Sequence, residues 1–363
     1  MLTEGVFAAV PTPFYPDERV YYRKLEANMA RYSRSPLAGM LVLGSTGEAV
    51  MLDDAESREA LRVAAEATAP EKVLLAGVSR ESVRSTLAMA EAAAEYGYDA
   101  VLVRTPSYFS PQMSAIAVLN YFQSVADRSP LPVMLYNFPK LVRYEIPADL
   151  VGELANHPNI SGIKDSSGNF EYLDAVLKAT RTAPRRTVTV TPTFEAVTGR
   201  MLAAPAAEQE DTPGSLVSVV QLAGSSEDKT ARKGSGAATA QSAAPLKTRT
   251  KEVGFQVLTG AAGNFLEALE AGASGSILAF AAFAPQACQE IYLAWKDHDL
   301  KLAAEKQARV SEACRHMYGF SPAAVKHASD FNGYYGGRVR SPLLRLLAAE
   351  KAEVEEALSG IRN

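Results

Sequence analysis

The sequence predicts an α/β fold: a TIM (β/α)8 barrel with a helical C-terminal extension and an insertion between units 6 and 7. Short apolar or β-branched runs alternate with amphipathic helical stretches at a period of roughly 30 residues, a pattern typical of parallel strands joined by crossover helices. The pattern contains eight strand candidates. No G-x-G-x-x-G follows the first of them, which argues against an open doubly wound sheet.

The predicted strands are apolar runs bounded by turn residues. They are 6–12, 39–45, 72–78, 100–106, 132–138, 159–164, 255–260 and 275–281. Between them, segments such as 53–69, 81–97 and 170–180 carry Ala, Leu and Val at three- and four-residue spacing, which predicts helices packed on the barrel. Several of these helices begin at Asp, Ser or Asn residues suited to N-capping, and one ends at Gly97.

The connection between strands 6 and 7 is about three times the usual length, and its surplus lies at 185–250. Its Ser-, Ala-, Gly- and Lys-rich part, 225–251, is predicted to be a mobile surface loop. Before it, 185–194 and 214–224 alternate as a small hairpin would, although 187–192 could instead be barrel strand 7. We prefer 255–260, because its short helix leads directly into strand 8. The insertion then lies at the N-terminal end of the barrel, away from the usual active site.

Two domains are predicted: a catalytic barrel over 1–284 that includes the insertion, and an extension over 285–363. Helices are predicted in the extension at 285–318, 322–331 and 341–358. An extension of this size could form a subunit interface.

Composition narrows the class of function. The net charge is −4 and the basic residues form no stripe, so no nucleic-acid partner is expected. No signal-peptide pattern and no apolar run of about 18 residues occurs, which predicts a cytoplasmic protein with no membrane partner. The two cysteines are expected to be free thiols, and the four histidines lack metal-ligand spacing, so no metal is predicted.

Lys164 is the main candidate catalytic residue, because it lies at the end of a strand whose other residues are predicted to be buried. Alternation places it on the same side as Ile160 and Gly162, and the missing side chain at Gly162 should leave room for a long amine. Burial lowers the pKa of a lysine, and the neutral amine can then attack a ketone to form a Schiff base. Such an imine supports aldol chemistry without a metal.

Other residues at the C-terminal ends of strands could assist this amine. Tyr136, with Ser45 or Thr46 nearby, can relay protons, and the turn at 44–47 offers backbone N–H groups for a 2-oxo acid carboxylate. Each has a plainer interpretation: Lys164 could extend into solvent or pair with Asp165, the tyrosines could be packing residues, and Glu48 could brace the turn. Position alone leaves these alternatives open.

Three motifs in order, GSTGEA (44–49), YNFP (136–139) and GIKDSSG (162–168), resemble the dihydrodipicolinate synthase / N-acetylneuraminate lyase family of class I pyruvate aldolases. The resemblance covers roughly 1–180 and 253–345. It implies a covalent lysine imine with no further cofactor. It also implies a homotetramer built as a dimer of dimers, and a small 2-oxo acid as substrate.

The resemblance also assigns roles to individual residues. Lys164 corresponds to the Schiff-base lysine, and Tyr136 to the proton-relay tyrosine beside it. Ser45 and Thr46 fall where the family binds the carboxylate and passes protons. Tyr108 matches a tyrosine contributed across a tight dimer interface. Gly260 and Ile277 match positions that line the floor of the pocket.

The motifs carry signals for two different substrates within the family. The dihydrodipicolinate synthases have an arginine two residues after the proline of YNxP, whereas here Leu141 stands there and only Arg143 could substitute. Ser166 and the segment NGYYGGRVRSPLL (332–344) resemble 4-hydroxy-2-oxoglutarate aldolases instead, with Ser166 binding the far end of the substrate. Cleavage of 4-hydroxy-2-oxoglutarate is therefore preferred over the synthase reaction, with other 2-oxo acid aldolases or dehydratases and a non-catalytic keto-acid-binding scaffold as further alternatives.

Overall fold

The barrel is closed by eight parallel strands. The computed structural model of the protein describes residues 1–203 and 246–361. Around the barrel the strands follow one another in chain order, and the last, β10, pairs with the first, β1. They are β1 (Gly5–Ala9), β2 (Gly39–Val42), β3 (Val73–Gly77), β4 (Ala100–Arg104), β5 (Val133–Asn137), β6 (Ile160–Asp165), β9 (Gln256–Thr259) and β10 (Gly275–Leu278). All eight predicted strands are confirmed, including the choice of 255–260 over 187–192 for strand 7.

Helices surround the barrel and continue beyond it. They are α1 (Tyr22–Ser33), α2 (Asp54–Glu66), α3 (Val83–Glu95), α4 (Ala115–Ala126), α5 (Pro139–Val142), α6 (Ala148–Leu154), α7 (Phe170–Thr180), α8 (Gly199–Ala203), α9 (Phe265–Ala271), α10 (Pro285–Lys296), α11 (Leu300–Arg315), α12 (Pro322–Phe331) and α13 (Ala348–Ala357). Asp53 caps α2 in a capping box with Glu56, and Asn169 caps α7. Gly97, at φ +78°, follows α3 as predicted. No helix in the described ranges is both long and apolar enough to cross a bilayer.

A β-bulge in β6 changes which residues face the barrel interior. Val133 of β5 pairs with Ile160 but Met134 pairs with Gly162, so Ser161 is an extra residue. Ile160 therefore joins the outer hydrophobic cluster, and the prediction that it shares a side with Lys164 is wrong. The predicted reason for Gly162 is wrong as well: a β-carbon there would lie 2.2 Å from the carbonyl oxygen of Gln256, so close approach of β9 requires the glycine.

The described part of the insertion packs at the N-terminal end of the barrel, as predicted. The guanidinium of Arg186 donates to carbonyl oxygens of Ala155, His157 and Ile160, immediately before and at the start of β6. Arg200 donates to the carbonyl of Lys72, immediately before β3. These contacts place the described part of the insertion at the end of the strands opposite to Lys164.

The hairpin in the insertion is not the predicted one. Strand β7 (Arg186–Val190) forms, but it pairs in antiparallel register with β8 (Arg249–Val253). The predicted partner, 214–224, lies outside the described residues, as does most of the predicted loop, and 249–251 is strand rather than loop. Val188, Val190 and Val253 pack with Leu2, because alternating valines give the hairpin one apolar face.

Replacing residues 204–245 by a Gly/Ser linker should leave turnover within about twofold of the unmodified chain. The described residues that flank this segment lie at the far end of the barrel from Lys164, so catalysis should be insensitive to its loss. Steady-state assays and circular dichroism on the shortened protein would check this. A large loss of activity in a folded variant would mean that the segment reaches the active site.

The C-terminal helices differ from the prediction in two places. The predicted helix 285–318 is two helices, because the chain turns at His298 (φ +61°) and Asp299 caps α11. Residues 341–347 are not helical, and Ser341–Pro342 is a cis peptide. Because α10 packs against β1, it is the eighth helix of the barrel, although it lies in the predicted extension.

Candidate active site

Lys164 lies inside the barrel near the C-terminal end of β6. Only 4% of the residue is exposed, and its Nζ lies 4.5 Å from the centroid of the Tyr136 ring. Burial lowers the pKa of Lys164 to about 7. The plainer interpretations of Lys164 are therefore wrong, since the amine is not in solvent and Asp165 has other partners.

Asp165 belongs to a buried hydrogen-bond network that joins the ends of β5 and β6. Its carboxylate accepts hydrogen bonds from Asn137 Nδ2 (2.8 Å) and from the N–H and hydroxyl of Ser167 (3.1 and 2.8 Å). The Asn137 side-chain oxygen accepts the N–H of Ile146 at 3.1 Å. Burial raises the pKa of Asp165 despite these donors. These hydrogen bonds fix the strand ends that carry Tyr136 and Lys164.

Tyr136 lies beside the amine on the neighbouring strand. Its hydroxyl lies 3.3 Å from Ser45 Oγ, which joins β5 to the loop after β2 across the mouth of the barrel. Burial raises the pKa of Tyr136 to about 12, against the opposing effect of hydrogen bonds with Ser45 and Ser166. The phenol is therefore neutral near pH 7: it can donate its proton, and it can both donate and accept a hydrogen bond.

The turn Gly44–Gly47 presents unused donors to the same space. The N–H groups of Gly47 and Glu48 bond back to Gly44 and Ser45, each at 3.0 Å. Within the described residues, the N–H groups of Ser45 and Thr46 and the Thr46 hydroxyl bond to nothing. Thr12 Oγ1 anchors the turn by donating to the Gly47 carbonyl at 2.7 Å. Unused N–H groups in a tight turn can bind an anion.

Ser166, Gly260 and Ile277 are the remaining predicted site residues that follow or belong to β6, β9 and β10. A β-carbon at Gly260 would lie 2.1 Å from Ser166 Oγ, so the glycine makes room for that hydroxyl. Ile277 is fully buried on β10, in the inner cluster that also contains Tyr136 and Leu258. This cluster forms the apolar floor beneath the amine.

Tyr108 is a predicted site residue whose side chain a single chain leaves in solvent. It is 80% exposed, and its ring makes an edge contact with Phe109, itself 62% exposed, with centroids 5.0 Å apart. Its N–H and that of Ser107 both donate to Glu81 Oε2 at 2.9 Å. The loop that carries Tyr108 is thus held in place while its side chain stays outside.

Sequence reasoning missed Arg104. The strand registers place Arg104, Tyr136 and Lys164 in one row across β4, β5 and β6. Period-two alternation from Ala100 and Leu102, which line the barrel interior, predicts that Arg104 faces inward and would have identified it.

Sequence reasoning also missed what Glu48 does. Its carboxylate lies 2.5 Å from Lys326 Nζ of α12, with each side chain 1% exposed, and its other oxygen accepts the N–H of Arg340 at 2.9 Å. Lys326 also donates to the Arg338 carbonyl at 2.6 Å. Burial lowers the pKa of Lys326 to about 8, against the opposing attraction of Glu48. Glu48 therefore ties the Gly44–Gly47 turn to the C-terminal segment.

Proteins of known name with similar sequences carry more than one activity. A 4-hydroxy-tetrahydrodipicolinate synthase from Acidiphilium cryptum is 27% identical over 98% of both chains. A probable mitochondrial 4-hydroxy-2-oxoglutarate aldolase from Emericella nidulans is 35% identical over 48% of this chain and 59% of its own length. An L-threo-3-deoxy-hexylosonate aldolase from Hypocrea jecorina is 37% identical over 48% and 58%. The last two matches span less than two thirds of those relatives.

Solved structures share the fold at low sequence identity. A dihydrodipicolinate synthase from Bacillus anthracis superposes with a TM-score of 0.75 at 21% identity, over the whole of both chains. A prophage protein of E. coli K12, solved in complex with pyruvate, gives the same TM-score at 23% identity over 99% of each chain. The Dihydrodipicolinate synthetase family model matches residues 2–188 and 234–361, most of the sequence. The chain therefore belongs to the dihydrodipicolinate synthetase family.

Proposed function

We propose that this protein cleaves 4-hydroxy-2-oxoglutarate to pyruvate and glyoxylate through an imine at Lys164, with no other cofactor. The family contains synthases and aldolases, so the chain is a carbon–carbon lyase of the class I aldolase type. The single observation that carries the proposal is Lys164 itself. It is buried beside Tyr136 with its pKa lowered to about 7, so a large fraction of the amine is neutral at physiological pH.

Lys164, Tyr136 and water are sufficient for every bond and proton transfer of the cleavage. The neutral amine adds to C2 of the substrate and water leaves, which forms a protonated imine. The water that leaves C2 carries the proton of the Tyr136 phenol, which is left as a phenolate. The C3–C4 bond then breaks: its electron pair forms the enamine at C3, and the C4 hydroxyl gives its proton to that phenolate as C4 becomes the aldehyde of glyoxylate. The enamine takes a proton at C3, and water hydrolyses the pyruvyl imine to release pyruvate and the amine.

The surrounding residues have complementary roles in the proposal. Ser45 and Thr46 bind the carboxylate next to C2 through their free N–H groups and hydroxyls. Tyr136 and Ser45 pass protons between the substrate and the mouth of the barrel. Ser166 donates to the far end of the substrate across the gap left by Gly260, and Ile277 excludes water from below. Tyr108 completes the relay from a neighbouring subunit.

Synthase activity with aspartate semialdehyde is the second candidate, favoured by the full-length similarity to the Acidiphilium cryptum synthase. Its weakness is the missing carboxylate-binding arginine. The substitute, Arg143, is exposed and follows the short helix α5 at φ +54°, with no partner for its side chain in the described part of the chain. Ser166 beside Gly260 instead offers a hydroxyl donor to the C5 carboxylate of 4-hydroxy-2-oxoglutarate.

Borohydride trapping tests whether the pocket reacts at all. Incubation with pyruvate and borohydride should add one stable pyruvyl mass to the protein, and peptide mapping should locate it at Lys164. Complete absence of an adduct would favour a non-catalytic keto-acid-binding scaffold instead.

Side-by-side assays then separate the enzymatic candidates. Cleavage of 4-hydroxy-2-oxoglutarate would be compared with condensation of pyruvate and aspartate semialdehyde, and with cleavage of a 3-deoxy-hexulosonate. The proposal requires the highest kcat/KM for 4-hydroxy-2-oxoglutarate. A higher kcat/KM for the condensation would show that the protein is a synthase instead.

Assembly into a dimer of dimers and location in the cytoplasm are further parts of the proposal. Several large apolar side chains are exposed at the C-terminal end of the barrel, a composition typical of subunit interfaces. They are Val50, Tyr108, Phe109, Ile116 and Leu141. Analytical ultracentrifugation should give a tetramer of 38.8 kDa subunits.

Tyr136→Phe should slow imine formation by about 10²- to 10⁴-fold, the usual effect of removing a positioned proton donor. The ring remains to pack beside Lys164, so the fold and the final extent of trapping should change little. Stopped-flow measurement of imine formation gives the rate. Tyr144→Phe, which removes a hydroxyl outside the pocket, serves as the control and should react at the normal rate.

A further inference from the structure

Arg104 and Glu81 are charged residues at the active-site end of the barrel that the proposed chemistry does not use. Arg104 Nη2 lies 2.8 Å from Glu81 Oε1, and the side chain of Arg104 is 13% exposed. Its Nη1 donates to the Thr105 carbonyl at 2.9 Å and to Ser107 Oγ at 3.2 Å. All of these partners belong to the loops after β3 and β4. None belongs to the pocket around Lys164.

Glu81 completes the attachment from the other side. It accepts the N–H groups of Ser107 and Tyr108, both at 2.9 Å, so the backbone is held on each side of the peptide that leads into Tyr108. Hydrogen bonds with charged partners are about twice as strong as neutral ones. The result is a rigid loop base beneath an aromatic ring that is 80% exposed.

Within one chain, the fixed position of the Tyr108 loop neither buries the tyrosine ring nor brings it to the active site. Among the aromatic rings of the described residues, that of Tyr108 pairs with Phe109, and neither ring is buried. The relay formed by Tyr136 and Ser45 ends at the Ser45 hydroxyl. A phenol held rigidly outside one subunit, and a relay that ends at a partly exposed hydroxyl at the mouth of the barrel, fit a second copy of this chain in a two-fold arrangement.

We infer that Arg104 and Glu81 form a positioning clamp that presents Tyr108 to the active site of a second copy of this chain. The inference rests on the proposed function. It adds the pair of residues that controls the placement of Tyr108. The clamp acts through Tyr108, so it should affect the rate of proton transfer in the partner's site and leave the site of its own subunit intact.

Single variants give the first test. Arg104→Met should slow imine formation with pyruvate by about tenfold or more, and Tyr108→Phe should slow it at least as much. Because the clamp acts only through the phenol, adding Arg104→Met to Tyr108→Phe should cause no further loss. If the two losses multiply, or if Arg104→Met alone has no effect, the clamp does not work through Tyr108.

Hybrid dimers give the decisive test. A Lys164→Ala subunit and an Arg104→Met subunit, carrying different affinity tags, are co-expressed and the mixed species purified. Its one intact lysine would receive Tyr108 from the subunit with an intact clamp, so the rate per Lys164 should return to the wild-type value. A rate equal to that of the Arg104→Met homodimer would show that Arg104 serves its own subunit and would overturn the inference.

Controls separate this result from other failures. If Arg104→Met does not fold or assemble, Glu81→Gln replaces it, because the amide keeps an acceptor for the loop N–H groups but loses the ion pair. The final borohydride adduct at Lys164 should be unchanged in either variant, since only the rate is affected. Loss of the adduct in the unmodified protein would contradict the proposed function itself, which distinguishes that failure from failure of the clamp.

Discussion

Lys164→Ala should abolish imine formation with pyruvate and lower turnover by about 10⁵-fold or more, as expected when a covalent nucleophile is lost. No borohydride adduct should form at any pyruvate concentration. Mass spectrometry of the trapped protein and steady-state cleavage assays measure the two effects. The pocket should keep its shape, because the amine makes no hydrogen bond to the described residues and the floor of the barrel is apolar.

Two further variants make this result specific. Lys164→Arg keeps a positive charge on a long side chain but has no nucleophilic amine near neutral pH, so it should be as inactive as the alanine variant. Lys178→Ala removes an exposed lysine from α7 and should react normally. An adduct that persists in Lys164→Ala would place the chemistry on another residue.

The pH dependence of the unmodified protein should follow the same group. Imine formation needs the neutral amine, so its rate should rise as the pH passes through about 7 and level off above it. Stability should depend on pH as well. Between about 7 and the ordinary lysine pKa the unfolded chain holds a proton that the folded chain lacks, so the folded state gains stability as the pH rises through this range. Lys164→Met should therefore stabilise the protein most below pH 7, measured by urea unfolding.

The barrel and most of the site could be predicted because the signals are local. Each barrel strand is a short apolar run, and Lys164, Tyr136, Ser45 and Thr46 lie at the ends of such runs. In a TIM barrel those ends meet at one face, so position along the chain is enough to bring the residues together. Tyr108 was predicted by resemblance, and a single chain leaves it outside the pocket.

Features that depend on distant parts of the chain could not be predicted. The bulge at Ser161 reverses the side of Ile160, and only the pairing with β5 shows it. The true partner of β7 begins at Arg249, at the opposite end of the unusually long insertion. Glu48 looked like part of its own turn, but it is a buried ion whose partner is on α12. Alternation within one segment carries no information about such contacts.

The stability of the fold should be sensitive to substitution of the buried pair Glu48 and Lys326. Lys326→Met would leave the Glu48 carboxylate buried without its cationic partner. The backbone N–H of Arg340 would remain as a hydrogen-bond donor to it. Removing one partner of a buried ion pair costs about 3–5 kcal/mol, because the other charge is left uncompensated. The variant should therefore unfold at a clearly lower urea concentration. Lys351→Met, at an exposed position on α13, is the matched control and should not.

The same substitution should weaken binding at the active site, because Glu48 directly follows the turn proposed to hold the 2-oxo acid carboxylate. KM for substrate should rise while the trapped adduct still forms at Lys164. The double variant Glu48→Gln/Lys326→Met removes both charges, so it should recover part of the lost stability, and a double-mutant cycle would measure the coupling. A Lys326→Met protein with normal stability and normal KM would contradict the view that this buried pair supports the turn. Normal KM with lowered stability would restrict its role to folding, since the C-terminal segment would then brace the barrel without shaping the site.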